Sequence, residues 1–259
     1  MSDGYERFVQ LVKNKSNIDL SLYKERQMRR RLTSLREKRG YANFEDYFKA
    51  LDRDDHLFNE FLDRMTINVS EFYRNYSRWE VLKNDVIPEL LNKNEPLKIW
   101  SAACSTGEEP YTLVMLLSDF LPLNQINILA TDIDENAIQR AKMGVYPERS
   151  IKELPLDKRN KYFEEKNDLF YISDDIKKRV TFKKHNLLTD KYESNFDLIV
   201  CRNVLIYFTE EAKKEIYTRF SNSLKLDGVL FVGSTEQIFN PAEYNFEVIQ
   251  TFFYKRINK

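Results

Sequence analysis

The first 65 residues of the chain carry apolar side chains at helical spacing. They fall into four groups: Tyr5, Phe8, Val9 and Val12; Met28, Leu32 and Leu35; Tyr47, Phe48 and Leu51; and Leu57, Phe61 and Met65. A stripe of this period buries one face of an amphipathic helix. The pattern therefore predicts a small all-α domain, which we place, with the linker that follows it, at residues 1–76.

Beyond Trp79 the pattern changes to short apolar runs that alternate with helical stretches. The runs at 97–100, 127–130, 180–182, 196–200 and 228–232 have the composition of strands, and 247–249 and 252–254 extend the series. Helical stretches lie at about 110–121, 134–143 and 209–224. This alternation predicts an α/β domain over 77–259, with a parallel sheet that binds ligands at the carboxyl ends of its strands. The polar and aromatic stretch 146–178 interrupts the alternation and indicates a small inserted subdomain.

Composition narrows the classes of function. The 41 basic and 41 acidic side chains cancel, so no overall field draws the chain to nucleic acid or to an anionic membrane. The sequence begins without a signal-peptide pattern and contains no apolar stretch near the roughly 18 residues of a membrane span. Two cysteines and two isolated histidines lack metal-ligand spacing. We therefore expect a soluble cytoplasmic protein with no metal, and a monomer, because nothing indicates an obligate dimer.

Two carboxylates follow the first predicted strand, where the next helix begins. Small residues precede Glu108 and Glu109, and Pro110 suits the first turn of a helix. A pyrophosphate would need this helix N-terminus as an anion site, and the carboxylates would repel it. They would attract a cation, and S-adenosylmethionine carries both an ammonium and a sulfonium. At this point these acids could also simply complement the helix dipole.

Polar residues also follow the later strands. Asp132 ends the second strand, where a carboxylate can accept hydrogen bonds from two ribose hydroxyls, although Asp132 or Asp134 could equally cap a helix. The segment 184–188 follows the third strand and could contact an adenine edge. The segment 201–208 follows the fourth, and it lacks the Asn-Pro-Pro-Tyr type sequence that nucleic-acid amino-methyltransferases often show. A nucleobase is therefore a less favoured methyl acceptor.

Five segments together resemble the CheR family of chemoreceptor glutamate methyltransferases, in the family's order. They are NVSEFYR at 68–74, WSAA at 100–103, STGEEPY at 105–111, TDID at 131–134 and CRNVLIYF at 201–208. The resemblance implies a small all-α domain followed by a Rossmann-like class I S-adenosylmethionine-dependent methyltransferase domain. It further implies a cytoplasmic enzyme of chemoreceptor arrays that methylates receptor glutamates for sensory adaptation and releases S-adenosylhomocysteine.

By matching position, the resemblance also implies site residues. The cofactor contacts fall on Asn68, Ser70, Arg74, Ala103, Glu109, Asp132, Asn186, Leu187, Cys201 and Arg202, and Arg74 and Tyr207 line the methyl-transfer centre. Some relatives hold a receptor C-terminal pentapeptide with a glycine-containing loop of an inserted subdomain. The corresponding stretch 163–170 has no glycine, so we expect no pentapeptide tether here.

The region 24–39 concentrates positive charge, with eight basic residues against Glu25 and Glu37. A solvated helix face and a nucleic-acid surface are both possible interpretations. Beside a methyltransferase domain, a face that attracts the acidic helices of a receptor fits better. We expect receptor contacts at Arg26, Arg29, Arg30 and Arg36, and no nucleic-acid partner. A methyltransferase for RNA or a small acid, and a signalling module without turnover, remain the alternative functions.

Overall fold

The structure is a computed structural model that describes residues 3–66, 70–92 and 95–258. The chain divides into two compact units. A helical unit comprises Met1–Asn68 with Ile206–Glu215, and an α/β unit comprises Val69–Leu205 with Ile216–Lys259. The domain limits predicted from the sequence, 1–76 and 77–259, stay predictions. The helical unit differs from the first of them, because its N-terminal segment ends at Asn68 and it also includes residues 206–215.

The helical unit contains the four helices that the periodicity predicts. They are α1 Tyr5–Ser16, α2 Glu25–Lys38, α3 Phe44–Arg53 and α4 Asp55–Met65. Side-chain caps set two of the starts: Asn43 accepts from the Asp46 N–H at 2.8 Å, and Asp54 accepts from two N–H groups of α4. The core is aromatic, with Phe8 and Phe44 fully buried and their ring centroids 5.0 Å apart.

A segment from far along the chain completes the helical unit. The Tyr207 carbonyl accepts from the Lys24 N–H at 2.8 Å, and the Leu22 carbonyl accepts from the Thr209 N–H at 2.9 Å. Between these bonds the Tyr23 and Phe208 rings pack with centroids 4.8 Å apart. Tyr207 is thereby fixed against the start of α2.

The α/β unit is built on a seven-stranded sheet. Its strands are β1 Ile99–Ala102, β2 Ile128–Asp132, β6 Val180–Lys184, β7 Phe196–Cys201, β8 Leu224–Val232, β9 Phe246–Gln250 and β10 Phe253–Arg256, in the order β6-β2-β1-β7-β8-β10-β9. Neighbours from β6 to β8 are parallel, whereas β10 runs antiparallel to β8 and β9. Every residue of β1 and β7 is buried, which explains their continuous apolar runs.

Helices fill the intervals between the strands. They are α5 Tyr76–Val81, which runs through a π-helical turn at Leu82–Val86 into α6 Ile87–Leu91, then α7 Glu108–Leu117, α8 Glu135–Met143 and α11 Glu210–Ser223. The chain leaves β1 for β2 on one side, and β7 pairs on the other. This reversal of strand order opens a crevice at the carboxyl ends of β1, β2 and β7, where such sheets bind ligands.

The stretch 145–177 forms a small structure of its own. Two helices, α9 Leu156–Tyr162 and α10 Asp174–Lys177, accompany an antiparallel sheet of β3 Val145–Pro147, β4 Phe163–Lys166 and β5 Leu169–Ile172, in the order β3-β5-β4. Asn167 and Asp168, both with positive φ, form the two-residue turn between β4 and β5.

Within the described ranges, no helix is long and apolar enough to cross a membrane. No group of three or more histidine, cysteine, aspartate or glutamate side chains is placed there to hold a metal ion.

Candidate active site

The loop between β1 and α7 takes a tight, left-handed path. Ala103, Ser105 and Gly107 have φ values of 61°, 48° and 94°, which cost free energy at residues other than glycine. A Cβ at Gly107 would lie 2.9 Å from the Ala141 Cβ, so glycine is required there. The loop therefore brings backbone, with little side-chain bulk, to the crevice.

Glu109 lies in the first turn of α7 and is largely buried, with 12% of its side chain exposed. It accepts a hydrogen bond from the Ser101 hydroxyl at 2.9 Å, and an Arg202 nitrogen lies 3.6 Å from its second oxygen. Burial raises the pKa of Glu109 to about 7, although Arg202 acts in the opposite direction. A second cation would favour the ionised form, so this carboxylate suits an ammonium.

Arg202 follows β7 and is enclosed on several sides. Its guanidinium lies 5.1 Å from the Trp79 ring centroid and 4.9 Å from that of Phe231, and it donates to the Arg74 carbonyl at 2.8 Å. Its Nε is buried and has no hydrogen-bond partner among the described residues. A carboxylate would satisfy this donor, and the amino-acid end of S-adenosylmethionine carries one beside its ammonium.

Asp132 ends β2 inside the same crevice. Its carboxylate accepts from the Ser105 N–H at 2.7 Å and from the Asp134 N–H at 2.9 Å. Burial raises its pKa to about 6, and these backbone hydrogen bonds partly offset the effect. The Ile133 N–H also contributes a backbone hydrogen bond, and because a carboxylate has about four acceptor sites, acceptor capacity remains for a ribose hydroxyl. Asp134, not Asp132, caps α8, because it accepts from the Asn136 and Ala137 N–H groups.

Glu108 connects the β1–α7 loop to Ser70 by hydrogen bonds. Glu108 is 2% exposed, and it accepts hydrogen bonds from the hydroxyls of Thr106, at 2.6 Å, and of Ser70 and Ser150. Burial raises the pKa of Glu108, and these hydrogen bonds act against the rise. Of the pair that the sequence offered, Glu109 therefore faces Arg202, whereas Glu108 ties the loop to Ser70.

Two further predicted contacts, Asn186 and Leu187, follow β6, the strand that pairs with β2. The His185 N–H donates to the Asp132 carbonyl at 2.8 Å. The Asn186 side chain then accepts from the Leu188 N–H at 2.9 Å, which closes a turn over buried Leu187. Cys201, another predicted cofactor contact, is fully buried at the end of β7, and burial raises the pKa of its thiol, which disfavours the thiolate.

Arg74 and Tyr207 are assigned to different units. Arg74 belongs to the α/β unit, where its carbonyl accepts from Arg202 and from the Trp79 indole at 3.1 Å. Tyr207 belongs to the helical unit. Asn68, another predicted cofactor contact, lies outside the described residues. The structure thus brings Ala103, Glu109, Asp132 and Arg202 to one crevice, and Asn186 and Leu187 to the adjoining strand end.

The helical unit contains a groove of about 770 Å³ along α2. Nine residues line it: Lys24, Gln27, Arg30, Arg31, Ser34, Leu35, Lys38, Ile206 and Tyr207. Four are cationic and none is acidic. The Arg31 guanidinium lies 5.5 Å from the Tyr207 ring centroid and donates to the Met65 carbonyl. The groove therefore offers concentrated positive charge beside a phenol.

The four predicted receptor contacts lie in different environments on α2. Arg30 lines the groove, whereas Arg26 and Arg29 are exposed outside the lining, and Arg29 pairs with Asp3 at 3.0 Å. Arg36 is 8% exposed and lies 4.8 Å from the Phe44 ring centroid. The structure thus places Arg36 in the interior of the helical unit, on the same face of α2 as Met28 and Leu32.

The set of site residues predicted from the sequence did not include four residues described here. Lys24, Arg31 and Lys38 stand seven residues apart, two helical turns each time, and this spacing could have identified them as one face. Glu236, a buried carboxylate after β8, gave no signal, because its partners are backbone N–H groups distant in sequence.

Comparison with known proteins agrees with this geometry along nearly the whole chain. A family model described as CheR methyltransferase, all-alpha domain, matches residues 3–66, and one described as CheR methyltransferase, SAM binding domain, matches residues 68–254. The fold class predicted from the sequence, an all-α domain before a Rossmann-like class I methyltransferase domain, is confirmed, as is S-adenosylmethionine as the cofactor.

Curated relatives give the same result. The chain is 47% identical over 255 residues to a chemotaxis protein methyltransferase of Listeria innocua, with 98% of this chain and 97% of the relative covered. Corresponding proteins of Listeria monocytogenes and Borreliella burgdorferi are 46% and 36% identical, over 98% of this chain and 97% and 94% of theirs. The chain is thus an S-adenosylmethionine-dependent methyltransferase, and it belongs to the CheR methyltransferase family.

Proposed function

We propose that this enzyme methylates glutamate side chains on the cytoplasmic helical bundle of chemoreceptors, giving glutamate methyl esters and S-adenosylhomocysteine for sensory adaptation. The observation that carries the proposal is the groove lined by Lys24, Arg30, Arg31 and Lys38. A receptor helix that presents several glutamates is complementary to such a surface in charge. The relatives, which are named chemotaxis protein methyltransferases, support a role of the methyl transfer in chemotaxis.

The cofactor would be held by its polar ends in the crevice of the α/β unit. Glu109 would bind the ammonium and the Arg202 Nε the carboxylate, because each has a buried, incompletely compensated charge or donor. Asp132 would accept from the ribose hydroxyls, with Ala103 giving close backbone approach. Asn186 and Leu187 would contact the adenine. Ser70 and Cys201 would shape the crevice, and Asn68 is proposed from the family resemblance alone.

The acceptor needs no general base. A glutamate carboxylate has an ordinary pKa of about 4.3 and is already nucleophilic at neutral pH. When bound, S-adenosylmethionine supplies an electrophilic methyl group on a sulfonium. The enzyme's residues would exclude water and align the carboxylate, since opposite charges are lost in the reaction.

Arg74 and Tyr207 would orient the carboxylate. Arg74 would pair with one oxygen loosely, because a tight ion pair would stabilise the ground state more than the transition state. Tyr207 would donate a hydrogen bond from its phenol hydroxyl to the other oxygen. Its ring is held by Arg31 and its carbonyl by Lys24, so the phenol comes from the same groove that would bind the receptor.

The substrate surface that we propose differs from the sequence-based set. Arg30 stays in it and is joined by Lys24, Arg31 and Lys38. Arg26 and Arg29 could add long-range attraction from outside the groove. The burial of Arg36 against Phe44 does not support a receptor contact. We propose that protein contacts of this kind also associate the enzyme with receptor arrays, without a nucleic-acid partner or a pentapeptide tether.

A methyl-label experiment tests the acceptor. Purified enzyme is incubated with methyl-labelled S-adenosylmethionine and membranes that contain a chemoreceptor, and the product is treated with mild alkali. We expect label in the receptor band and its release as volatile methanol, which is how an ester behaves. Receptor with the methylated glutamates changed to alanine should stay unlabelled. Alkali-stable label, label in RNA, or no transfer despite cofactor binding would each contradict the proposal.

A further inference from the structure

Glu236 is a buried carboxylate that receives an unusual number of backbone hydrogen bonds. It is 4% exposed. One oxygen accepts from the N–H groups of Asn203 at 2.6 Å and Gly233 at 2.7 Å, and the other accepts from the Leu205 N–H at 2.6 Å. The Val204 N–H donates as well. A single side chain thus satisfies the consecutive N–H groups of residues 203–205.

The loop that it holds leads from β7 into a short 3-10 helix at Leu205–Tyr207, and the first N–H groups of a helix have no partner within it. Asn203 has a φ of 61°, and the loop separates strand β7 from the segment that carries Tyr207. Unsatisfied N–H groups in a buried loop are costly, and a carboxylate has enough acceptor sites for all of them. Gly233 is part of the arrangement, because a Cβ there would lie 2.3 Å from the Glu236 Oε2.

The held loop begins immediately after Arg202, whose guanidinium faces Glu109 at 3.6 Å. We infer that Glu236 is a positioning residue for the cofactor site: by clamping the 203–205 backbone it fixes Arg202 against Glu109 without touching cofactor or substrate. This inference rests on the proposed roles of Glu109 and Arg202.

The test compares Glu236→Gln with Glu236→Asp by calorimetric titration with S-adenosylhomocysteine. Glutamine directs an NH₂ group at N–H donors, so we expect the Kd to rise about tenfold while the binding stoichiometry stays near one. Aspartate keeps the charge and should recover part of the affinity. Glu243→Gln makes the same chemical change at an exposed position and should leave the Kd unchanged.

The stoichiometry separates positioning from general stability. If Glu236 only supported the fold, the variant would bind with reduced stoichiometry and an unchanged Kd, and the inference would be wrong. Glu109→Gln is titrated in parallel. Unchanged affinity in that variant would refute the proposed cofactor site itself, whereas a weakened Glu109→Gln beside a normal Glu236→Gln would refute only the present inference.

Two other measurements test the inference if Glu236→Gln does not fold. Gly233→Ala keeps the carboxylate but crowds it, and the same rise in Kd is expected. In the wild-type enzyme, the amides of Asn203 and Leu205 should be protected from hydrogen exchange, and S-adenosylhomocysteine should increase the protection. Exchange at the rate of an exposed loop would show that the clamp does not hold, and would overturn the inference.

Discussion

The cofactor crevice and the α2 groove both present arginine, but in opposite environments. Arg202 has 2% of its side chain exposed and faces a buried carboxylate, whereas Arg30 is exposed in a groove whose nine lining residues include no acid. A buried pair fails when either partner is lost, because the remaining charge has neither solvent nor counterion. An exposed set acts at longer range and is screened by salt. The two regions should therefore respond differently to mutation, salt and pH.

The largest effect should follow the removal of charge from the buried pair. Glu109→Gln takes away the proposed partner of the cofactor ammonium and one of the two carboxylates that act on Arg202, so we expect S-adenosylhomocysteine to bind roughly 100-fold more weakly. Calorimetric titration at low and high salt measures it, with exposed Glu89→Gln as the matched control. A loss that disappeared in high salt would place Glu109 with the exposed charges instead.

Removal of Arg74 should affect turnover more than cofactor binding. Arg74→Ala should lower receptor methylation at least tenfold, as for a lost transition-state contact, because the acceptor carboxylate is no longer oriented. Initial rates at saturating cofactor measure it, and Arg149→Ala, at an exposed position of the same unit, is the control. Near-normal turnover of Arg74→Ala would count against its role.

The groove should respond to charge reversal in a salt-dependent manner. Arg30→Glu combined with Lys38→Glu should reduce kcat/KM for receptor about tenfold at low salt and less at high salt, with unchanged affinity for S-adenosylhomocysteine. Arg26→Glu combined with Arg29→Glu reverses the same charge outside the lining. Equal losses in both pairs would mean that overall charge, and not the groove, attracts the receptor.

A smaller effect should come from pH in the physiological range. The raised pKa of Glu109, about 7, means that roughly a tenth of it is ionised at pH 6, and an ammonium binds the ionised form. Affinity for S-adenosylhomocysteine should therefore fall several-fold between pH 8 and pH 6. Arg202 and Glu236 are the charged neighbours that modulate it. Titrations across this range in wild type and Glu109→Gln check it, and the variant should show a flat profile.

The raised pKa of Glu109 also affects the stability of the fold. Rising pH favours cofactor binding but lowers the stability of the ligand-free protein. Because the folded pKa of Glu109 lies above the ordinary value, its ionisation destabilises the ligand-free fold as pH rises from about 5 to above 7. On the proposed binding mode, the ammonium of the ligand would offset this cost. The increase in thermal midpoint that S-adenosylhomocysteine causes should thus be larger at pH 8 than at pH 6, and an increase that was larger at pH 6 would contradict the ammonium contact.

The smallest effect should come from the C-terminal pentapeptide of the receptor, which we expect not to contribute to binding. Deletion of the C-terminal pentapeptide of a receptor should change the KM for that receptor by less than about twofold, since Asn167 and Asp168 form only a two-residue turn between β4 and β5. Calorimetry with the free peptide and kinetics with the truncated receptor measure it. Measurable peptide binding would show that the inserted sheet adds a third recognition region.

Much of the α/β unit could be predicted because its signals are local. Buried parallel strands show as apolar runs, and the two acids in the first turn of α7 follow β1 closely in the sequence. The predicted start of the first strand, Leu97, was still wrong by two residues, because β1 begins at Ile99.

The rest depends on three-dimensional neighbours. The burial of Arg36 follows from its phase, four residues after Leu32, but the basic composition of α2 concealed it. Glu236 is recognised only once β8 and the 203–205 loop are adjacent. Likewise, nothing in the sequence near Phe208 indicated that Tyr23 would pack against it.

The return of residues 206–215 to the helical unit means that this unit is not a detachable N-terminal module. A fragment ending at residue 68 would lack Phe208, which covers Tyr23, and the backbone partners of Leu22 and Lys24. Recombination at a single junction could not exchange this unit intact between relatives, so residues 206–215 must be inherited together with the segment that ends at residue 68.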